Sequence, residues 1–273
     1  MGKKMSVKNK NLNLTNLASP KIGTKIIEVS DDFFGEASRM LDDKEPVFIE
    51  DKYDEHGKWM DGWESKRRRD GGNDWAIIEL GSPGIISEVD IDTSFFTGNF
   101  PPFASIEGLY SDQKPNKDSD WIEIISKKTL KGDSSNKFKI QSKTKVNYIK
   151  LQIFPDGGVA RLRLFGEVKF DWNIYNNKKD LIELSSLKLG GSIIAYNNAH
   201  YGDVSALLSY GRGKTMGDGW ETRRRREPGN DWIIIKLAIK GLIKKIEIDT
   251  AHFRGNYPDQ ASVQASNFDE NKS

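Results

Sequence analysis

The stretch Asp61-Gly62-Trp63-Glu64-Ser65-Lys66-Arg67-Arg68-Arg69 returns as Asp218-Gly219-Trp220-Glu221-Thr222-Arg223-Arg224-Arg225-Arg226. The offset is 157 residues (218 minus 61), and it continues without a gap. Gly72-Asn73-Asp74-Trp75 becomes Gly229-Asn230-Asp231-Trp232, Asp92-Thr93 becomes Asp249-Thr250, and Gly98-Asn99 becomes Gly255-Asn256. About half of the positions from 61 to 108 are identical in the second copy. A solenoid unit is only about 20 to 50 residues long, so this period implies two copies of a whole domain. A core requires only apolar residues of suitable size. The residues retained here are Arg, Asp, Glu, Asn, Gly and Trp, which points to a duplicated domain carrying a polar site.

The length of 273 residues agrees with two domains. With 42 Lys+Arg against 40 Asp+Glu, the net charge of +2 argues against a polyanion-binding protein. The absence of Cys excludes disulfides, thiolate metal sites and a Cys nucleophile. No apolar run approaches the roughly 18 residues that would span a bilayer. Gly2 and Ser6 fit the loose myristoylation pattern, but a disordered polar leader over residues 1–18 is the preferred reading. A reducing, cytoplasmic setting is expected.

Helical periodicity is nearly absent. Short β-branched and aromatic segments bounded by Gly, Pro, Asn and Asp read as strands at residues 26–29, 47–49, 75–80, 85–91, 104–109, 121–125, 138–140, 146–154 and 159–168. In 146–154 the set Asn147, Ile149, Leu151 and Ile153 should face the core. Such a pattern implies an all-β antiparallel sandwich. We expect a first domain at 19–170, a linker at 171–188 and a second domain at 189–273. Upstream, Phe33-Phe34-Gly35 matches His200-Tyr201-Gly202 at an offset of 167 (200 minus 33), so the first copy carries about ten extra residues, best placed in a loop at 50–56. Projecting position 168 forward by 157 gives 325, about 50 beyond residue 273. The second domain is therefore expected to be shortened, through a fragment, a disrupted gene, or strands supplied by another polypeptide.

Arg67, Arg68 and Arg69, and Arg223, Arg224, Arg225 and Arg226, offer planar guanidinium forks for a small anion, against the alternative of a solvated charge run. Glu64 and Glu221 follow Trp in each copy and suit either general acid/base work or pairing with the arginines. Asp249 and His252 could form an acid/base pair or shape a turn. The first copy has Asp92 but Phe95 in place of the histidine. Arg161 and Arg163, after the Pro155-Asp156-Gly157-Gly158 turn, share one strand face and could add to an anion site or sit in solvent. His56, His200 and His252 lack metal-ligand spacing, so no metal site is expected.

Together these motifs, with Asp249-Thr250-Ala251-His252-Phe253-Arg254-Gly255-Asn256-Tyr257-Pro258 and the run from Pro155 to Gly166, resemble the allantoicase family over about 21–266. The resemblance implies tandem jelly-roll, galactose-binding-like domains and hydrolysis of allantoate to ureidoglycolate and urea in purine breakdown. The family commonly has His before Asp-Trp, where this chain has Asn73 and Asn230. On this reading Arg223 to Arg226 hold the carboxylate, assisted by Arg67, Arg68, Arg69, Asp92, Arg161 and Arg163. Asp249 or Glu221 activates water, and His252 protonates the departing urea. Allantoate is the expected partner, with no nucleic acid, no membrane and no cofactor; metal dependence stays open, and a homo-oligomer is expected. The alternatives are a non-catalytic anion- or sugar-binding module, with Trp59, Trp63 and Trp220 as aromatic platforms, or an inactive remnant.

Overall fold

Positions 74–92 hold the longest run of strand-forming residues, and they form one continuous strand around which the first repeat is built. The protein is seen in a computed structural model that describes residues 14–175, 181–201 and 203–267. Strands β1 (Thr15–Asn16), β2 (Lys25–Val29), β3 (Tyr53–Asp54), β4 (Gly57–Lys58) and β5 (Trp63–Glu64) lead into β6 (Asp74–Asp92). There follow β7 (Phe103–Leu109), β8 (Ile122–Thr129), β9 (Ser135–Lys139), β10 (Lys145–Phe154), β11 (Gly158–Val159) and β12 (Arg161–Val168). The second repeat contributes β13 (Ser192–Tyr196) and β14 (Ile233–Lys236). Among the described residues the only helices are short 3₁₀ turns, and none is long and apolar enough to cross a membrane. The chain is all-β.

The two sheets of the first sandwich share β6. Its first half pairs with β2 and β10, and β10 continues to β7 and β8. Its second half pairs with β12 and β9, and β12 continues to β1. All pairings are antiparallel. Between the layers lie Ala76, Ile78 and Ile91 of β6, Ile106 of β7, Ile149, Leu151 and Ile153 of β10, and Leu162 and Leu164 of β12, all essentially fully buried. The three aliphatics expected to face the core from 146–154 do so. Val146 is buried with them although it belongs to the other alternating set; the β10–β6 ladder is irregular there, with Val146 opposite Gly84 but Tyr148 opposite Glu79.

Several expectations are corrected. Residues 75–80 and 85–91 are one bent strand. Residues 47–49 are not a strand: Val47, Phe48 and Ile49 are exposed in a loop whose backbone has no ladder partner. The leader ends earlier than residue 18, since Thr15–Asn16 pairs with β12 and Leu17 and Ala18 are buried in the core; residues 1–13 lie outside the described residues. The linker also ends early, because Leu187 packs into a cluster with Ile193, Val204 and Leu208.

The second repeat reproduces the first locally. Ser192 pairs with Lys236 as Lys25 pairs with Glu79, and both ladders bulge at the same place, between Ile193 and Ala195 and between Ile26 and Glu28. Further along it differs: Leu242, Ile243, Ile246 and Ile248 are exposed, whereas Ile86, Val89 and Ile91 in the matching stretch of β6, flanked by β12 and β9, are buried in the core. The repeats touch where Ile22 of the first joins the Leu187 cluster of the second. Ser82 Oγ donates to the Lys188 carbonyl at 2.5 Å, and the Tyr210 N–H to that of Lys21 at 3.0 Å.

The close approach of the Ile22 backbone to β6 needs glycine at position 81. A Cβ there would lie 2.1 Å from the Ile22 carbonyl oxygen and 2.5 Å from its carbon, and both are backbone atoms that cannot turn aside. Gly81→Ala should therefore cost about 2–3 kcal/mol as an overpacking defect, read as a lower urea midpoint.

Candidate active site

The repeated motif builds the same hydrogen-bonded frame twice. In the first repeat Trp63 is fully buried and donates its Nε1–H to the Asp31 carbonyl at 2.8 Å; Trp220 does the same to Asn198 at 2.8 Å. Arg68 Nη1 lies 2.8 Å from Asp74 Oδ1, and Arg225 Nη2 lies 2.5 Å from Asp231 Oδ1. The Arg68 N–H also donates to Asp156 at 2.6 Å. Burial pushes the Asp231 carboxyl up, but donors from Arg225, Thr222 and Asn197 outweigh it and hold the group below its ordinary value. One arginine of each run is thus committed to the frame. Arg67 and Arg69, and Arg223, Arg224 and Arg226, are exposed and have no ion-pair partner among the described residues.

A second pair, not anticipated from the sequence, joins the motif to the next turn. Asn99 Nδ2 donates to Glu64 Oε1 at 2.6 Å, and Asn256 Nδ2 donates to Glu221 Oε1 at 2.7 Å. A Gly-Asn dipeptide ordinarily signals a turn. Here the two Asn amides reach carboxylates 35 residues away, which no local pattern encodes. Burial raises the Glu64 carboxyl above its ordinary value, and the Asn99 amide only partly offsets it.

The turn after the Asp-Thr dipeptide holds Phe95 at φ 68° and His252 at φ 71°, both left-handed. A bulky aromatic seldom adopts this conformation, so the turn imposes it whatever the side chain. The carboxylates of Asp92 and Asp249 pin the turn by accepting the N–H of Ser94 and of Ala251, each at 2.8 Å.

What faces the turn differs between repeats. In the first, the segment from Lys44 to Phe48 lies across it. Arg161, 1% exposed, donates to the carbonyls of Lys44 and Asp61 at 2.8 Å each and pairs with Asp61 Oδ2 at 2.7 Å. Arg161 is therefore not on a solvent face. Arg163 bridges Glu45 at 3.1 Å and the buried Asp92 at 3.6 Å. The Val47 N–H donates to Asp61 at 2.9 Å, and Phe48 stacks on Phe95 with centroids 5.8 Å apart. The ten-residue insertion continues beyond this segment into the β3–β4 hairpin.

In the second repeat the turn is met by Arg212 and Gly213. Arg212 Nη1 lies 2.7 Å from Asp249 Oδ2, and the Gly213 carbonyl lies 3.0 Å from His252 Nε2. The Ala251 N–H first, and Arg212 second, hold the Asp249 carboxyl below its ordinary value. Arg212 has no counterpart in the first copy, so repetition could not reveal it. Asp249, His252, Glu221 and Arg223 to Arg225 all border one open concavity of about 4560 Å³. That volume far exceeds the roughly 300–1,000 Å³ of a small-ligand pocket, so the concavity does not by itself delimit a site; the bond from Asn256 to Glu221 ties the motif to the region of the His252 turn and places the candidate site there.

Other expected residues fall elsewhere. Asn73 and Asn230 turn their amides back onto the carbonyls of Asp74 and Asp231, at 3.1 and 3.2 Å. Trp63 is core and Trp220 packs on the Leu187 cluster, so neither is an exposed platform. Among the described residues no group of three or more His, Asp or Glu converges.

Comparison with known proteins gives a consistent result. The chain matches the allantoicase repeat over residues 15–169 and again over 182–273. It is 51% identical over 252 residues to a probable allantoicase of Burkholderia mallei, covering 92% of this chain and 74% of that one. A probable allantoicase of Acinetobacter baylyi is also 51% identical, over 92% of this chain and 75% of its own length. The crystal structure of allantoicase from Saccharomyces cerevisiae superposes with a TM-score of 0.73 at 33% identity, covering 85% of this chain and 70% of that one.

Glu64 supplies a test of the frame. Because burial raises its folded value above the unfolded one of about 4.3, its contribution to stability is fully present below that value and is lost as pH rises through the folded value. Glu64→Gln should match the parent protein near pH 4 and unfold at higher urea than the parent at pH 7. Equal midpoints at pH 7 would show that the carboxylate is not desolvated.

Proposed function

The chain belongs to the allantoicase family, and we propose that it hydrolyses allantoate to ureidoglycolate and urea at the mouth of its second repeat. The observation that carries this placement is the left-handed turn bearing His252, which in the first repeat bears Phe95 under a covering segment.

Allantoate has a carboxylate on a carbon bearing two ureido groups. Arg223, Arg224 and Arg226 are exposed beside the site and provide forked donors for that carboxylate, while Arg225, bound to Asp231, orders the run. Hydrolysis forms a bond from water oxygen to the central carbon and breaks the bond from that carbon to one ureido nitrogen. A base must take a proton from water and an acid must give one to the leaving nitrogen. Asp249, held ionised by Ala251 and Arg212, is a weak proton acceptor. We therefore assign the base to Glu221, whose Oε1 is fixed by Asn256, and give Asp249 the role of supporting positive charge on His252. The carbonyl of Gly213 can only accept, so the His252 hydrogen sits on Nε2 and Nδ1 is the atom left for the substrate. Protonated there, His252 can donate to the departing urea. The scheme uses protein side chains alone.

The proposal keeps the two domains divided within 171–188 and places the reaction in the cytoplasm, where a chain without Cys needs no oxidising compartment. Self-association is part of it. Light scattering should return a multiple of the 30.9 kDa chain mass; a monomer at all concentrations would remove this element.

His252→Ala should lower kcat for urea release from allantoate on the order of 10²-fold or more, with ureidoglycolate falling in parallel. A near-parental rate would remove His252 from the scheme and with it the assignment of the site to the second repeat.

A further inference from the structure

The two repeats differ in length in the segment that joins a 3₁₀ turn to the Asp-Gly-Trp-Glu motif. In the first repeat the turn is Ala37–Leu41 and 19 residues (42–60) follow before Asp61; in the second it is Val204–Leu208 and only nine (209–217) precede Asp218. The short version is pinned at both ends. At one end the Tyr210 N–H donates to the Lys21 carbonyl at 3.0 Å. At the other the N–H groups of Lys214 and Thr215 donate to Asp218 Oδ2 at 3.1 and 3.0 Å. Between these anchors Gly211 takes a φ of 83°, which turns the chain so that the next two residues meet the His252 turn. Arg212 Nη1 reaches Asp249 Oδ2 at 2.7 Å and Glu247 Oε1 at 2.5 Å, and the Gly213 carbonyl meets His252 Nε2 at 3.0 Å. The arginine side chain is 70% exposed, so it does not contribute to a core.

We propose that Gly211, Arg212 and Gly213 form a positioning loop for the second mouth: Arg212 holds the Asp249 carboxylate, and the Gly213 carbonyl orients the His252 ring with Nδ1 toward the substrate. The inference rests on His252 being the proton donor. The first repeat is the internal contrast. There the longer segment sets Phe48 on Phe95 and spends Arg163 on Glu45, so the same turn is covered.

The test compares the full chain with Arg212→Ala, Arg212→Lys and His252→Ala. Arg212→Ala should lower kcat by about tenfold or more, as misplacement of a reacting group does, while KM for allantoate stays within about twofold. Arg212→Lys should recover most of the rate, because an ammonium can still reach Asp249. An unchanged kcat in Arg212→Ala, or a raised KM with kcat intact, would overturn the proposal; the second result would make Arg212 a substrate-binding group. If His252→Ala keeps its rate, the site assignment itself fails. If His252→Ala is impaired and Arg212→Ala is not, only the positioning role fails. Long-range ¹H–¹⁵N spectra of the three histidines give a readout independent of turnover. The His252 ring should carry its hydrogen on Nε2 in the parent and become a tautomer mixture in Arg212→Ala; identical spectra would overturn the proposal.

Discussion

A carboxylate removed from water must be surrounded by donors, and at the entrance to β6 that requirement falls on Asp74. It is 3% exposed, and its Oδ1 accepts from Arg68 and from Ser30. Removing one partner from such a pair typically costs about 3–5 kcal/mol, since the other is left charged and buried. The constraint therefore fixes three things together: where β6 starts, how the Arg run leaves β5, and where β2 ends. The second repeat meets the same requirement with Asp231, Arg225 and Asn197 in place of Asp74, Arg68 and Ser30. Substituting Asn for Ser at the third position keeps a donor on the carboxylate, which is what the chemistry demands.

On this shared frame the repeats diverge in the segment lying over the left-handed turn. In the first repeat it brings a carbonyl to Arg161, a carboxylate to Arg163 and a ring to Phe95, so the donors on that face are satisfied by the chain itself. In the second it is ten residues shorter and brings one guanidinium and one carbonyl to Asp249 and His252. Asp92 and Asp249 illustrate the result. Both cap the turn through the same N–H, but Asp92 is 4% exposed beneath its segment, whereas Asp249 opens onto the concavity.

Much of the fold was legible because it is written locally. Alternation in β10 located three core aliphatics, and Gly, Pro and Asn marked most strand ends. Residues 47–49 misled because β-branched and aromatic composition signals a strand only where a partner ladder exists, and pairing is not a local property. The Val146 bulge was invisible for the same reason. At the site, motif repetition pointed to the arginines and to Glu64 and Glu221, but not to their partners. Asn99 and Asn256 looked like turn residues, and nothing in a Gly-Asn dipeptide says that its amide will close on a glutamate 35 positions earlier. Arg161 carried the opposite ambiguity: its strand face suggested an anion site or solvent, and the fold turned that face under the insertion.

These particulars change what repetition means in this chain. Polar residues kept in both copies pointed to a polar site, yet most of them serve the frame. Arg68 and Arg225 hold aspartates, Trp63 and Trp220 hold loop carbonyls, and Asp92 and Asp249 cap turns. Trp63, Asp74 and Asp92 are buried and would be costly to leave unpaired, a pressure that acts whether or not a ligand binds. Residues facing a substrate can repeat, as Glu221 and Arg224 do, but others among them are free to differ. Phe95 against His252, and Glu45 in the covering segment against Arg212 in the short loop, are differences of that kind. In a duplicated domain, then, what repeats reports the architecture, and the departures from repetition on an otherwise common frame are where chemistry is sought.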